Sequence, residues 1–362
     1  MDHALVARWR LANQIVSRPD AAGAAGVVGR LAALQAQDLL PSAWSLSQRA
    51  GGITRKAVAD ELDAGRVLRT HVLRPTWHAV APADLRWLLR ASAPRIQRAN
   101  AAMYVRAGLD DETRAASRRA LAAALADGTH RTRAELGTVL ADAGIRLDAF
   151  GVGMALMDAE LSAVVVSGAA RGNQQTYALL DERAPAVDGR TREDSLAELA
   201  RRFMVTRGPA TVDDLATWAS LPLTDARRAV AAVAGELETF QDDGLTWWHG
   251  RSEPPEREDQ PRVDLVQAYD ELVMSYLRTR DVLTGGVPLF TGSGGAPLHW
   301  VLVDGRAAGR WGYRRDARGR PAHLVVRPFR DWTAAERAAL HGAVEAFGRF
   351  AGTHVAWTDE PA

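Results

Sequence analysis

The chain has 362 residues, with 45 Lys+Arg against 44 Asp+Glu and a formal net charge of +1. Its 47% hydrophobic and 25% charged residues are ordinary for a soluble globular protein, and its length suits two or three domains or several small modules sharing a core. It has no cysteine, which excludes disulfides, a cysteine nucleophile, thiolate zinc sites and cysteine-ligated iron–sulfur clusters.

Lys56 is the only lysine and sits in ITRKAV, so the Gly-Lys-Ser/Thr phosphate loop is absent. Schiff-base chemistry has only Lys56 or the N-terminal amine to draw on. The arginine bias reads as genome composition, with bidentate phosphate recognition as the sharper alternative. MDHALVARWR lacks the basic-then-apolar layout of a secretion signal, and no apolar run approaches the ~20 residues that span a bilayer. A cytoplasmic protein without membrane contact is expected.

In chain order, helices are expected over about 3–16 and 22–34, with further ones over 44–49 and 55–64. VLRTHVLRPTWHAV (67–80) then gives two strands split at Arg74-Pro75. The glycines of AGAAGVVG (22–29) lack a preceding strand and read as a helix start, not a dinucleotide loop. The pattern repeats over 110–180. A helix covers about 110–126, and Thr132 with Glu135 signals a capping box for the next. A third helix covers about 148–161, and a strand–turn–strand follows.

The clearest copy is 194–249. Ser195 and Glu198 read as a capping box, Thr211 and Asp214 open a second helix, and Thr224 caps a third. ELETFQDDGLTWWHG then forms a hairpin around Asp243-Gly244. Three helices and a hairpin make a winged helix. Such modules serve DNA binding or protein contacts, so fold alone leaves both open. The polar, proline-rich stretch 249–264 reads as a linker or surface loop, and the remainder as alternating strands with a helix at 334–350. The expected fold is mainly α with β (α+β): modules over 1–106, 107–190 and 191–250, then a small β-barrel-like element over 251–362.

No histidine pair has metal-ligand spacing, and neither H-E-x-x-H nor G-x-S-x-G occurs, so no metal or cofactor is expected. Three places stand out. In LQAQD (34–38), Gln35 and Gln37 flank Ala36 where helical periodicity stops; on extended backbone they point the same way, or else they brace a helix end. In RTHVLRPTWHAV (69–80), Arg69 and His71 share a strand face, and with Arg74, Thr76, Trp77 and His78 they suit either a core or a surface contacting phosphates and bases. Between 305 and 330, eight arginines accompany one acid, Asp316. YRRDARGRPAH there reads as a hairpin with an arginine-rich tip.

LQAQD (34–38), RPTWHAV (74–80), RGPATVDDLATW (207–218) and AYDELVMSYLRTR (268–280) together resemble the AlkZ-like winged-helix DNA glycosylases, in order and across nearly the whole chain. The resemblance implies three tandem winged helices and a barrel-like element in a C shape. It implies excision of alkylated purines, with some members unhooking interstrand crosslinks made by natural products. Gln35-Ala36-Gln37 fits the family's Gln–apolar–Gln catalytic motif, so Gln35 and Gln37 are expected to place the attacking water. The family's DNA-groove hairpin is carried over loosely to Arg310, Arg314, Arg315, Arg318 and Arg320, with the wings as competing positions. A monofunctional enzyme is expected, because Lys56 lies in no recognised motif. The expected partner is double-stranded DNA with an alkylated purine, clamped by a monomer. A non-enzymatic DNA-binding protein, such as a regulator or a sequestering resistance protein, is the alternative, and a protein-binding module the third reading.

Overall fold

The computed structural model describes residues 2–184, 189–289 and 299–360. α1 (His3–Asn13) precedes a first unit made of α2 (Gly23–Leu31), β1 (Ala33–Gln35), α3 (Leu39–Arg49), α4 (Arg55–Asp63), β2 (Leu68–His71) and β3 (Trp77–Val80). Its sheet order is β1-β3-β2. After α5 (Pro82–Ala99) and α6 (Ala101–Arg106), the second unit repeats this order with α7 (Asp111–Ala124), β4 (Arg131–Thr132), α8 (Arg133–Asp142), α9 (Ala149–Leu161), β5 (Val165–Ser167) and β6 (Thr176–Leu179). Its sheet order is β4-β6-β5.

A short α10 (Leu180–Arg183) leads toward the third unit: α11 (Arg192–Arg207), α12 (Val212–Trp218), α13 (Leu223–Ala232), β7 (Glu238–Asp242) and β8 (Leu245–His249). Here the first strand shrinks to one residue, Ala210, which bridges Trp248. Helix, strand, helix, helix, strand, strand is the winged-helix order, and the chain traces it three times. The sequence misses the first strand of each unit because three, two and one residues carry no periodicity.

Local signals mostly hold. Thr132–Glu135 and Thr211–Asp214 are capping boxes. The third unit's first helix begins earlier than expected, with the box at Thr191–Asp194. Ser195 lies inside that helix and returns its hydroxyl to the Thr191 carbonyl. α13 likewise starts behind Pro222, leaving Thr224 inside it. The Gly-rich start of α2 has its Ala24 and Ala25 N–H groups bound by the Glu61 carboxylate, at 3.1 and 2.7 Å, where the helix dipole favours an anion.

The C-terminal part contains β9 (Val263–Val266), α14 (Glu271–Met274), α15 (Asp281–Thr284), β10 (His299–Val303), β11 (Arg306–Arg315), β12 (Pro321–Pro328), α16 (Ala334–Ala351) and β13 (Ala356–Asp359). The sheet order is β13-β12-β11-β10-β9, with only β12 and β13 parallel. The sheet is open, so the expected barrel is not closed. α16 packs on one face and sets Phe347 against Trp311 at 5.4 Å, filling with a helix the space that barrel closure would fill with strands. The same core reaches the first unit: Trp44 of α3 meets Phe347 edge-on at 5.2 Å and donates its indole N–H to the Leu265 carbonyl at 2.6 Å. Each such buried large side chain contributes about 1.5–3 kcal/mol. Among the described residues no helix is long and apolar enough to cross a membrane, and no cluster of His, Asp and Glu could hold a metal ion.

Gly208 marks where α11 meets β8. A methyl group there would lie 2.7 Å from both the Trp248 carbonyl oxygen and His249 Cα, and nearer still to the Met204 carbonyl. All three are backbone atoms that cannot swing aside. Gly208→Ala is expected to lower the unfolding free energy by about 1–3 kcal/mol in urea denaturation.

Candidate active site

The Gln–Ala–Gln segment begins with an awkward turn. α2 ends at Leu31, three residues before the expected end, and Ala32 takes φ 66° and ψ −46°. This is the strained γ-turn region, costing about 1–3 kcal/mol for a residue with a Cβ. A buried arginine holds the turn. Arg207, the last residue of α11, donates to the Leu31 carbonyl at 2.8 Å and the Ala33 carbonyl at 2.7 Å, on either side of Ala32.

The partner of Arg207 is Glu271, and both side chains are fully buried. Glu271 Oε2 accepts from Arg207 Nη2 at 3.0 Å, Trp218 Nε1 at 2.7 Å and Ser275 Oγ at 2.9 Å. Its Oε1 accepts the Gln35 backbone N–H at 2.8 Å. Burial alone would raise the Glu271 pKa; the Arg207 and Arg74 charges, with His78 and the Gln35 N–H, outweigh it and hold the carboxyl at about 2.

The segment bearing Glu271 is itself tied down. Asp270 pairs with buried Arg49 at 2.7 Å, and Arg49 reaches Gln14 Oε1 at 3.1 Å. Asp214 Oδ1 accepts the backbone N–H groups of Leu277, Arg278 and Thr279. All four motifs therefore meet around one buried ion pair.

The two glutamines differ. Gln35 is 3% exposed, and its Oε1 accepts from Arg74 Nη2 at 2.9 Å. Arg74 also donates to the Trp218 carbonyl at 3.0 Å and to His78 Nε2 at 3.1 Å. His78 Nδ1 lies 2.9 Å from the Thr76 carbonyl. Burial, followed by the Arg74 charge, pulls the His78 pKa down to about 3, so its ring is neutral: Nδ1–H donates to Thr76 and Nε2 accepts from Arg74.

His71 is buried against Glu160, with its ring 4.5 Å from Trp77. His71 and His78 therefore lie inside the protein, and this corrects the expectation that they contact DNA; Arg74 is half-buried, with its guanidinium turned to Gln35, His78 and the Trp218 carbonyl. β3 is the central strand of its sheet, between β1 and β2. Thr76 Oγ1 is also buried, without a hydrogen-bond partner among the described residues. Arg69 is the outward member: its guanidinium lies 4.3 Å from the Trp77 ring and holds the Ala36 and Gln37 carbonyls at 2.8 and 3.1 Å.

Gln37 opens onto a cleft of about 780 Å³ lined also by Asp38, Arg55, Arg69, Tyr269, His299, Trp311, Tyr313 and Arg315. Its Oε1 is buried and has no hydrogen-bond partner among the described residues. Asp38 stands at the N-cap of α3, yet its carboxylate makes no capping hydrogen bond. Burial raises the Tyr269 pKa, and the Asp38 charge adds to it. Arg315 links this cleft to the β11–β12 hairpin, whose Arg314, Arg315, Arg318 and Arg320 are exposed. Arg314 pairs with Glu360 at 2.9 Å and Arg320 with Asp316 at 2.8 Å. Arg310 is a correction: it is 3% exposed, stacked 3.3 Å from the Trp300 ring and bonded to the Pro288 carbonyl, so it lies in the sheet's interior.

The sequence model described as DNA glycosylase AlkZ-like matches residues 28–350. The chain belongs to the AlkZ-like DNA glycosylase family. The solved structure of the DNA glycosylase AlkZ from Streptomyces sahachiroi has a similar fold, with a TM-score of 0.74 at 21% identity over 99% of this chain and 100% of that one. No curated protein sequence matches the chain.

In this AlkZ-like glycosylase, sequence reasoning assigns no role to Arg207, Glu271, Asp38, Tyr269, Trp311 or His299. Gln35 and Glu271 are 236 positions apart, so no local spacing reports their contact. Asp38 does carry a signal, since it extends the LQAQD run.

The depressed Glu271 pKa makes a pH prediction. The unfolded carboxyl, near 4.5, takes up a proton before the folded one does. The contribution is present above pH 4.5 and lost as pH falls toward about 2. Unfolding measured across this window is expected to show a shallower acid loss for Glu271→Gln than for the wild type.

Proposed function

We propose that this DNA glycosylase hydrolyses the N-glycosidic bond of cationic purines alkylated at N7 or N3 in double-stranded DNA. Gln37 holds the water and Gln35 sets the frame around it. The observation that carries the reading is the Gln37 carbonyl oxygen, buried at the cleft yet lacking a partner among the described residues. Buried acceptors are nearly always satisfied, so such an atom marks a place for a water or substrate donor.

The chemistry suits an amide. Glutamine does not act as a general base near neutral pH. A purine alkylated at N7 or N3 already carries positive charge and leaves without protonation. The C1′–N9 bond breaks through an oxocarbenium-like state, the electron pair leaving with the purine. The enzyme then needs a water in line, whose oxygen bonds to C1′ and whose proton passes to solvent, and negative polarity toward the sugar. The Gln37 carbonyl offers both, and the neighbouring Asp38 carboxylate adds a full negative charge. Neutral lesions such as uracil, whose leaving group needs help, are poor substrates on this reading.

The exposed arginines of the β11–β12 hairpin, with Arg55 and Arg69 in the cleft, supply phosphate contacts. Crosslink unhooking and removal of bulky natural-product adducts belong to the same reading, supported by the roughly 780 Å³ size of the cleft. Lys56 pairs with Asp60 at 2.7 Å on an exposed helix face and is not among the residues lining the cleft, which supports hydrolysis without strand cleavage. A monomer clamps the duplex.

Release of N7-methylguanine from duplex DNA tests this reading. The wild type is expected to release the base, and Gln37→Ala to be slower by about 10²-fold or more while still binding DNA. Full release by Gln37→Ala would overturn the assignment.

A further inference from the structure

His299 opens β10 and lines the same cleft as Gln37. The backbone N–H of Ala268 donates to its Nδ1 at 3.1 Å. A neutral imidazole that accepts at Nδ1 carries its proton on Nε2. The ring is wedged beside Trp311, at 4.5 Å, and lies nearly parallel to Tyr313 at 6.1 Å, so it cannot turn freely. Burial lowers its pKa to about 4, which keeps it uncharged at neutral pH. Among the described residues no partner accepts from Nε2–H.

The placement is tied to the glutamines. Ala268 orients His299, and three residues on, Glu271 fixes the Gln35 backbone. One short segment, 268–271, thus holds the imidazole and the Gln–Ala–Gln run in a common frame. A cationic histidine would repel a cationic purine; a neutral one offers a donor without that penalty.

We propose that His299 is a specificity-determining residue of this site, its Nε2–H donating to the O6 acceptor of an alkylated guanine. The inference rests on the alkylpurine reading above. Guanine alkylated at N7 keeps O6 on the same edge. Adenine carries an amino group there, so two donors would face each other. When the C1′–N9 bond breaks, the electron pair spreads over the purine and onto O6, so the hydrogen bond strengthens as the reaction proceeds.

The test compares release of N7-methylguanine and 3-methyladenine from duplex oligonucleotides. His299→Phe, and His299→Asn, which keeps an acceptor for the Ala268 N–H, should slow guanine release by about tenfold or more. Adenine release should change by less than about threefold. His299→Gln, which keeps a donor near the Nε2 position, should restore most of the guanine rate. An equal loss for both bases, or no loss in a folded variant, overturns the inference alone. A wild type that releases neither base overturns the alkylpurine reading and the inference with it.

Discussion

The buried pair between Arg207 and Glu271 is the constraint on which the site depends. Removing two charges from water costs several kcal/mol each, and Coulomb attraction offsets this only when the remaining hydrogen-bonding groups are also satisfied. Here they are. Arg207 caps two carbonyls around the strained Ala32 turn, while Glu271 receives a guanidinium, an indole, a hydroxyl and the Gln35 N–H. The pair thus fixes the backbone from which both glutamines project. Three of the four motifs feed it directly: LQAQD supplies the strand that is held, while RGPATVDDLATW and AYDELVMSYLRTR supply the charges. RPTWHAV adds Arg74, which reaches Gln35 and lends its charge to Glu271.

The site also sorts its charges. Close to Gln35, Arg74 is balanced by Glu271, and His78 is kept neutral. In the cleft, His299 is neutral too, while Asp38 is the carboxylate nearest Gln37 in sequence. The exposed positive charge lies outward on the β11–β12 hairpin, where Arg314 and Arg320 pair with Glu360 and Asp316 and no ion pair engages Arg315 or Arg318 among the described residues. A cationic base and an oxocarbenium-like sugar call for this arrangement, with anionic or neutral groups inside and cations along the backbone track.

Much of the fold was legible in the sequence because helices and hairpins announce themselves locally. The three-helix-plus-hairpin pattern, the Thr132–Glu135 capping box, the helix start at Thr211, the Asp243-Gly244 turn and the arginine-tipped hairpin all follow from spacing and turn chemistry. The break at Gln35–Gln37 was visible as a loss of periodicity. Its cause was not, because the turn at Ala32 is held by a residue 174 positions away. The same limit misplaced His71 and His78. Polar residues on a hairpin fit surface or core until distant partners decide: His78 lies on the central strand β3, and His71 meets Glu160, 89 positions away. Arg310 was drawn into a surface cluster by its neighbours in sequence, whereas its guanidinium stacks on Trp300. The open C-terminal sheet differs from the expected barrel for a comparable reason: strand alternation does not say that a helix will fill one face.

Turnover by Glu271→Gln tests most directly whether the buried pair positions the site. The measurement is single-turnover release of N7-methylguanine, at a temperature where the variant is folded, alongside its affinity for the same DNA. Glu271 is fully buried and bonded to protein groups, so the account predicts a rate lower by about 10²-fold with affinity unchanged. A folded Glu271→Gln variant that turns over at the wild-type rate would contradict it.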